Sequence, residues 1–228
     1  MVVDPRGTGD TPPAETYSQD DYVGDLEQLR AELALEQFDL LGHSHGGFVA
    51  IEYAAAHPGR VRKLVLAATA PRLAPEYGEA AGAMWQATGD PTVAEALAAR
   101  QQRLSAAELP PDEFIRLALI EQRLFFAKPD GVAVIQPILE QHPPNLDALA
   151  YFNRVTAPTF DLRPKLPAIT ADTLVITGDH DFLGTLAADE IVAGIPRARS
   201  VVLADAGHYL WIDQPNAFAT EVRRFLLT

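Results

Sequence analysis

The sequence predicts an α/β fold in which helices pack on a mostly parallel sheet and a purely helical segment is inserted between two of its strands. Short apolar runs alternate with amphipathic stretches up to about residue 70, and strand-like runs are missing from 71 to 156. The alternation then returns from 157 onwards. Strands that alternate with helices favour a parallel sheet with right-handed crossovers. We therefore expect one core formed by 1–70 and 157–228, with a helical insertion at 71–156.

The first part of the core is expected to contain three strands and two helices. In chain order they are the end of a strand at 2–3, a helix from 18, a strand at 38–41, a helix that ends at 57 and a strand at 63–68. The first helix has a clear start signal, because Ser18 is followed three residues later by Asp21, as in a capping box. Between the first strand and this helix, the stretch from Asp4 to Asp10 is typical of a loop.

The insertion shows helix signals only. Asp90 followed by Pro91 is typical of an N-cap and a first helical position, and Pro110 precedes another apolar, helix-like stretch. Further helices are expected near 132–140 and 146–152. After the insertion we expect strands at 173–177 and 201–204, a helix at 186–193 and a terminal helix from Pro215.

Composition restricts the function classes. The chain has 228 residues, 48% of them hydrophobic, so it fits one domain with a sizeable core. Cysteine is absent, which excludes disulfides and a thiolate metal site. A net charge of -13 disfavours nucleic acid and anionic membranes as partners. We see neither a basic-plus-apolar leader nor an apolar run of membrane length, and a cytoplasmic location is expected.

The most informative motif is Gly42-His43-Ser44-His45-Gly46, which has the form G-x-S-x-G. It lies where an apolar strand ends and an apolar helix begins, as a nucleophile elbow requires. The glycines Gly42 and Gly46 allow a sharp turn that exposes the serine hydroxyl. The helix N-terminus adds oriented N–H groups and a partial positive charge next to Ser44.

A serine nucleophile needs a base, and the base needs an anionic partner that fixes its tautomer. The acid is expected after the strand that follows the insertion, where the sequence reads Gly178-Asp179-His180-Asp181. We choose Asp181 over Asp179 because Asp181 lies further past the end of the strand. The base is expected after the last strand, at His208 in Ala206-Gly207-His208. Loops at the carboxyl ends of parallel strands are where active sites of open α/β sheets assemble.

Two further histidines flank the serine. His43 and His45 form an H-x-H pattern, which could indicate a metal, but zinc needs further ligands and none has suitable spacing nearby. We therefore expect neither a metal nor a cofactor.

These motifs resemble those of α/β-hydrolases with a helical cap, the broad group that includes proline iminopeptidases. The matching segments are Asp4-Pro5-Arg6-Gly7-Thr8-Gly9, Gly42 to Gly47, Gly178 to Asp181 and Gly207-His208. The resemblance spans nearly the whole chain. It implies an α/β-hydrolase sheet with a cap at 71–156, Ser44 as nucleophile, Asp181 as acid and His208 as base. It also implies that the backbone N–H of His45 is one oxyanion donor.

The sequence departs from that family at its N-terminal side. The family has about three strands and a helix before the point that corresponds to Asp4, together with a loop, written H-G-G-x-G or H-G, that supplies the second oxyanion donor. The printed sequence has no such segment, so the strand before Ser44 is expected to have an unpaired edge. The fold class we expect is thus an N-terminally truncated α/β-hydrolase sheet.

Four explanations compete for this departure. The chain is a shortened form of a longer enzyme, its first strand has moved to pair with the strand before Ser44, two chains pair through the exposed edge as a homodimer, or the protein is a degenerate hydrolase that serves as a binding module. We rank the shortened form first, with repair of the edge by strand displacement or dimerisation as its consequence.

The function expected from these observations is that of a serine hydrolase acting through an acyl-enzyme on a small ester, amide or short peptide. Aminopeptidase action on N-terminal proline is one option, and it needs cap carboxylates for the substrate amine; Glu113, Glu121 and Glu140 are available. Other options with the same triad are an esterase, a carbon–carbon bond hydrolase and a cofactor-free peroxidase. The rival class is a catalytically impaired interaction protein.

Overall fold

A computed structural model of the chain describes residues 1–105 and 109–228. Within these residues the sheet has four parallel strands in the spatial order β1-β2-β3-β4. The strands are β1 (Phe38–His43), β2 (Val61–Ala67), β3 (Asp172–Gly178) and β4 (Ala198–Leu203). Because spatial order follows chain order and every pair is parallel, the carboxyl ends of all four strands lie at one edge of the sheet.

Ten α-helices surround or extend this sheet in the described part of the chain. They are α1 (Gln19–Glu32), α2 (His45–Ala56), α3 (Pro75–Ala87), α4 (Pro91–Ser105), α5 (Pro111–Glu121), α6 (Asp130–Gln141), α7 (Leu146–Tyr151), α8 (Gly184–Gly194), α9 (Leu210–Asp213) and α10 (Pro215–Leu226). The predicted capping box is present at α1, where Ser18 Oγ accepts the Asp21 N–H and the Asp21 carboxylate accepts the Ser18 N–H.

The two faces of the sheet bury separate apolar clusters. One cluster joins α2 and α8 to the sheet and includes Ile51, Leu64 and Ile191. The other joins the sheet to α10 through Leu174 and Phe225. Apart from Arg62, every residue of β2 is buried, as expected for a parallel strand covered by helices on both faces.

The strand predicted at Val2-Val3 is wrong. The structure gives residues 1–5 no regular secondary structure, and Val2 is 93% exposed. An apolar pair becomes a strand only when a neighbouring strand accepts its backbone hydrogen bonds, and in the described residues β1 pairs with β2 alone. Displacement of a first strand onto β1 is therefore also wrong. The outer edge of β1 has no partner strand within the described chain, and Leu41 on it is 44% exposed.

The segment between β2 and β3 carries the helices α3 to α7, which we call the insertion helices. A third apolar cluster lies among them, with Trp85, Val93 and Leu124 buried. The two ends of the segment meet, since the Leu162 N–H donates to Pro71 O at 2.7 Å. The boundaries 71–156 for a cap stay a prediction.

None of the described helices combines the length and the apolar character that are needed to cross a membrane.

Candidate active site

Ser44 lies on a strained turn between β1 and α2. Its φ of 52° and ψ of -122° are a conformation that costs a non-glycine residue free energy. Two contacts, one to the last residue of β2 and one to the chain just after it, hold it there. The Ser44 N–H donates to Ala67 O at 3.0 Å, and the buried Thr69 hydroxyl donates to Ser44 O at 2.8 Å. A non-glycine residue held this way at a strand-to-helix junction is the geometry of a nucleophile elbow.

The elbow is tightly packed at two glycines. A Cβ at Gly42 would lie 2.4 Å from Gly46 O, and a Cβ at Gly47 would lie 2.4 Å from Thr69 Oγ1. A Cβ at Gly46 would meet nothing within 4 Å. Residues 42 and 47 therefore have to be glycines, because any side chain there would overlap the start of α2 or Thr69. Gly46, the second glycine of the motif, has open space where a side chain would lie.

Asp181 and His208 are brought together from two different strands. Asp181 follows β3, His208 follows β4, and His208 Nδ1 lies 2.9 Å from Asp181 Oδ1. The Asp181 side chain is fully buried and that of His208 is 3% exposed. Asp181 also accepts the Thr177 hydroxyl and the Leu183 N–H, each at 3.2 Å. A buried carboxylate fixed this way holds the imidazole in one tautomer, with its proton on Nδ1.

The other residues of the Asp181 loop have a local role. His180 Nδ1 lies 2.7 Å from Asp179 Oδ1, which also accepts the Ala206 N–H at 3.2 Å. Burial raises the pKa of Asp179, but these hydrogen bonds to its charged form outweigh burial and leave the pKa below its ordinary value. His208 is thus bonded to Asp181 and not to Asp179.

The imidazole of His208 is enclosed by rings. Its ring centroid lies 4.5 Å from that of Phe182, 4.7 Å from that of His43 and 5.4 Å from that of Phe125. His43 Nε2 donates to the backbone oxygen of His208 at 2.9 Å, so that nitrogen carries a proton. Burial, followed by the nearby His208, lowers the pKa of His43 to about 3. His43 is therefore a neutral support for the His208 loop at ordinary pH.

His45 is the first residue of α2, so its backbone N–H has no acceptor within the helix. Its side chain packs on the rings of Tyr22 and Phe152 and receives a hydrogen bond from Gln19 Nε2 at 3.1 Å. Burial lowers the pKa of His45 to about 4. The two flanking histidines thus have separate partners, and the described residues contain no group of three or more His, Cys, Asp or Glu placed to hold a metal ion.

The structure does not join Ser44 to His208. Among the described residues, Ser44 Oγ makes no hydrogen bond to the imidazole, although both lie at the carboxyl edge of the sheet. Such a bond is often long before substrate binds and shortens in the complex.

Several supporting residues were missed by sequence reasoning. Asp213 Oδ2 accepts the N–H of Gly207 at 2.8 Å and that of Ala127 at 3.0 Å, so it ties the His208 loop to the insertion. The His208 N–H donates to Phe125 O at 2.8 Å and makes a second tie. The contacts to Ala127 and Phe125 join residues more than eighty positions apart, and sequence spacing carries no signal for them.

Comparison with known proteins agrees with this fold. The family model described as the alpha/beta hydrolase fold matches residues 1–215. The pimeloyl-acyl-carrier protein methyl ester esterase of Aliivibrio salmonicida is 29% identical over 214 residues, covering 92% of this chain and 77% of the relative. The proline iminopeptidase PfmaB of Pestalotiopsis fici is 26% identical over 244 residues, covering 99% and 80%.

A solved structure is similar as well. The alpha/beta fold family hydrolase from Bacillus anthracis superposes with a TM-score of 0.76 at 19% identity, covering 97% of this chain and 80% of that chain. At that identity the likeness concerns the fold.

Proposed function

This chain belongs to the α/β-hydrolase fold family, and on that basis we propose that it is a serine hydrolase that cleaves a small ester or amide through an acyl-enzyme. The observation that carries the proposal is the buried 2.9 Å hydrogen bond between His208 and Asp181, at the same sheet edge as the strained Ser44 turn. A base, its orienting acid and a serine hydroxyl on an elbow are the parts that acyl transfer needs, and Ser44 is half-buried at that elbow.

In the first half of the proposed reaction, His208 Nε2 takes the proton from Ser44 Oγ as the oxygen attacks the substrate carbonyl. Asp181 accepts the Nδ1–H throughout and stabilises the imidazolium that forms. The carbonyl oxygen becomes an oxyanion, and the unpaired N–H of His45 at the start of α2 donates to it. The tetrahedral intermediate then collapses, the bond to the leaving group breaks, and that group leaves with the proton from His208.

In the second half, His208 takes a proton from water, which attacks the acyl-enzyme carbonyl. A second tetrahedral intermediate collapses, the acid product leaves, and the proton returns to Ser44 Oγ. Because Ser44 is not hydrogen-bonded to His208 in the free chain, substrate binding has to shorten that contact.

An ester is favoured over a peptide with a free amino terminus. The three glutamates considered for an amine all have partners: Glu113 bonds to Arg116, Glu121 to Arg103, and Glu140 to Gln136. A substrate ammonium group would have to share these carboxylates with their present partners. The similarity to a proline iminopeptidase keeps aminopeptidase action as the second candidate.

A fluorophosphonate probe tests the proposal, because it reacts covalently with activated serines. We expect labelling of the wild-type chain, loss of labelling in Ser44→Ala and full labelling in the matched control Ser200→Ala, whose serine is exposed on β4. Hydrolysis of p-nitrophenyl butyrate and of proline β-naphthylamide then separates the two candidate substrates. A folded wild-type chain that takes up no probe would instead support the catalytically impaired interaction protein.

A further inference from the structure

Arg100 of helix α4 brings a positive charge close to the candidate base. Its guanidinium carbon lies 5.8 Å from the ring centroid of Phe182, and the Phe182 ring lies 4.5 Å from that of His208. One aromatic ring therefore separates the guanidinium from the imidazole. The Arg100 side chain is 29% exposed, so water-borne groups can reach it.

The hydrogen-bond donors of Arg100 are unused in the described part of the chain. Its nearest carboxylate is Glu121, at 3.6 Å from Nη1, which is too long for a hydrogen bond. Both Glu121 oxygens are already taken by Arg103, through Nε at 2.6 Å and Nη2 at 3.1 Å. Two guanidinium groups thus share one carboxylate, which leaves a net charge of about +1 in this cluster by formal counting.

The ring that Arg100 lies over carries a second donor without a partner. The Trp85 side chain is buried at 5% exposure, its Nε1–H has no hydrogen-bond partner in the described structure, and the Arg100 guanidinium carbon lies 5.8 Å from its ring centroid. Buried polar groups are normally paired, so an unpaired one calls for an explanation. A bound acceptor group would supply the missing partner.

We propose that Arg100, with Trp85, binds a carboxylate carried by the substrate at the end opposite to the bond that Ser44 attacks. This inference rests on the proposed function, and it names the substrate class as monoesters of dicarboxylic acids. A guanidinium can bind a carboxylate through two parallel hydrogen bonds, and the apolar surroundings of Trp85 and Phe182 strengthen them. The net charge of -13 of the whole chain slows the approach of anions. Salt screens this long-range repulsion more strongly than it screens the short-range attraction between a guanidinium and a carboxylate.

The test compares two substrates that differ only in charge: p-nitrophenyl hydrogen suberate and its methyl ester. The measured quantity is the ratio of kcat/KM for the acid to that for the methyl ester. We expect the ratio to exceed one in the wild-type chain and to fall roughly 10- to 100-fold in Arg100→Gln, the range for a charge-assisted hydrogen bond. Arg100→Lys should restore part of the ratio, because lysine keeps the positive charge but lacks the paired N–H groups that bind a carboxylate through two hydrogen bonds.

Arg116→Gln is the matched control. Arg116 is an exposed insertion arginine on α5 that pairs with Glu113, and its loss should leave the ratio unchanged. An unchanged ratio in Arg100→Gln overturns the inference. An equal fall in kcat/KM for both esters gives such an unchanged ratio. It is the effect expected of a guanidinium that only supports packing of the insertion. Circular dichroism melting of each variant shows whether it is folded.

Failure of the proposed function has a different signature. If the wild-type chain hydrolyses neither ester, or if Ser44→Ala hydrolyses both as well as the wild type, the serine hydrolase proposal fails. Binding of suberate itself, measured by calorimetry on the wild-type and Arg100→Gln chains, then decides the inference alone. Binding that disappears in the variant supports it, and equal binding or none contradicts it.

Discussion

Lowering the pH from 7 to 5 should destabilise this protein through two histidines that flank the serine. Burial holds the pKa of His43 at about 3 and that of His45 at about 4, against an ordinary value of 6.5 in the unfolded chain. At a pH between the ordinary pKa of 6.5 and the lowered pKa of each histidine, the unfolded chain takes up a proton on that histidine and the folded chain does not. Protons therefore favour unfolding, and stability falls as the pH drops below about 7.

The magnitude follows from proton linkage. For a group with a pKa of 6.5 in the unfolded chain and of about 4 or below in the folded one, the step from pH 7 to pH 5 costs about 2 kcal/mol. The two histidines together give about 4 kcal/mol, which is an upper bound because both groups keep some contact with solvent. Depressed carboxylates such as Glu27, with a pKa of about 2, lose their contribution mainly below this window. The histidines should therefore dominate the change.

Urea unfolding followed by circular dichroism at the two pH values measures this loss. The variant His45→Gln removes one of the two groups, so we expect it to lose about half as much stability as the wild type over the same step. His142→Gln removes an exposed histidine and should behave like the wild type. If His45→Gln is destabilised by acid as strongly as the wild type, the buried neutral His45 does not exist and the reasoning is refuted.

Two further predictions concern the supports of the site. Gly47→Ala should lower the unfolding free energy by about 1–3 kcal/mol, because its Cβ would overlap Thr69. Gly46→Ala places its Cβ in open space and should be neutral or stabilising in a thermal melt. Equal losses of stability in the two variants would contradict this. Asp213→Ala should reduce ester hydrolysis by about tenfold or more by freeing the Gly207 N–H, and Asp213→Asn should restore most of the rate because its amide oxygen can accept the same bonds. Equal rates in the Ala and Asn variants would show that acceptance of these bonds is unimportant.

The fold and the order of the candidate residues could be predicted because their signals are local. The apolar runs of β1 to β4, the Ser18–Asp21 capping box and the glycines around Ser44 each lie within a few residues of the structure they determine. Chain order then placed Ser44, Asp181 and His208 after three parallel strands. Parallel strands end at one sheet edge, so proximity of the three loops follows from topology.

The errors and omissions have physical causes that a sequence does not display. Val2-Val3 is apolar enough for a strand, but a strand also requires a partner, and the described chain offers none beyond β1. A close-packing reason is plausible from the sequence for both Gly46 and Gly47, and only Gly47 has one: it faces Thr69, and that contact depends on where the chain goes after β2. Contacts between distant segments, such as that between Arg100 and Phe182, leave no periodic pattern in the sequence.

The ties around His208 limit how the insertion can move. Phe125 O accepts the His208 N–H, and Asp213 Oδ2 accepts the Ala127 N–H, so two bonds join the segment around Phe125–Ala127 to the histidine loop and the helix α9 that follows it. The same Asp213 oxygen accepts the Gly207 N–H and ties α9 to that loop. If the insertion opened as one rigid body, the bonds from Phe125 and Ala127 would break and the His208 loop would lose two of its supports. Helices α3 and α4 are joined to the same segment, because Trp85 and Val93 pack with Leu124 and Arg123 pairs with Asp90 at 2.8 Å. An opening that leaves His208 in place therefore has to spare these two helices as well.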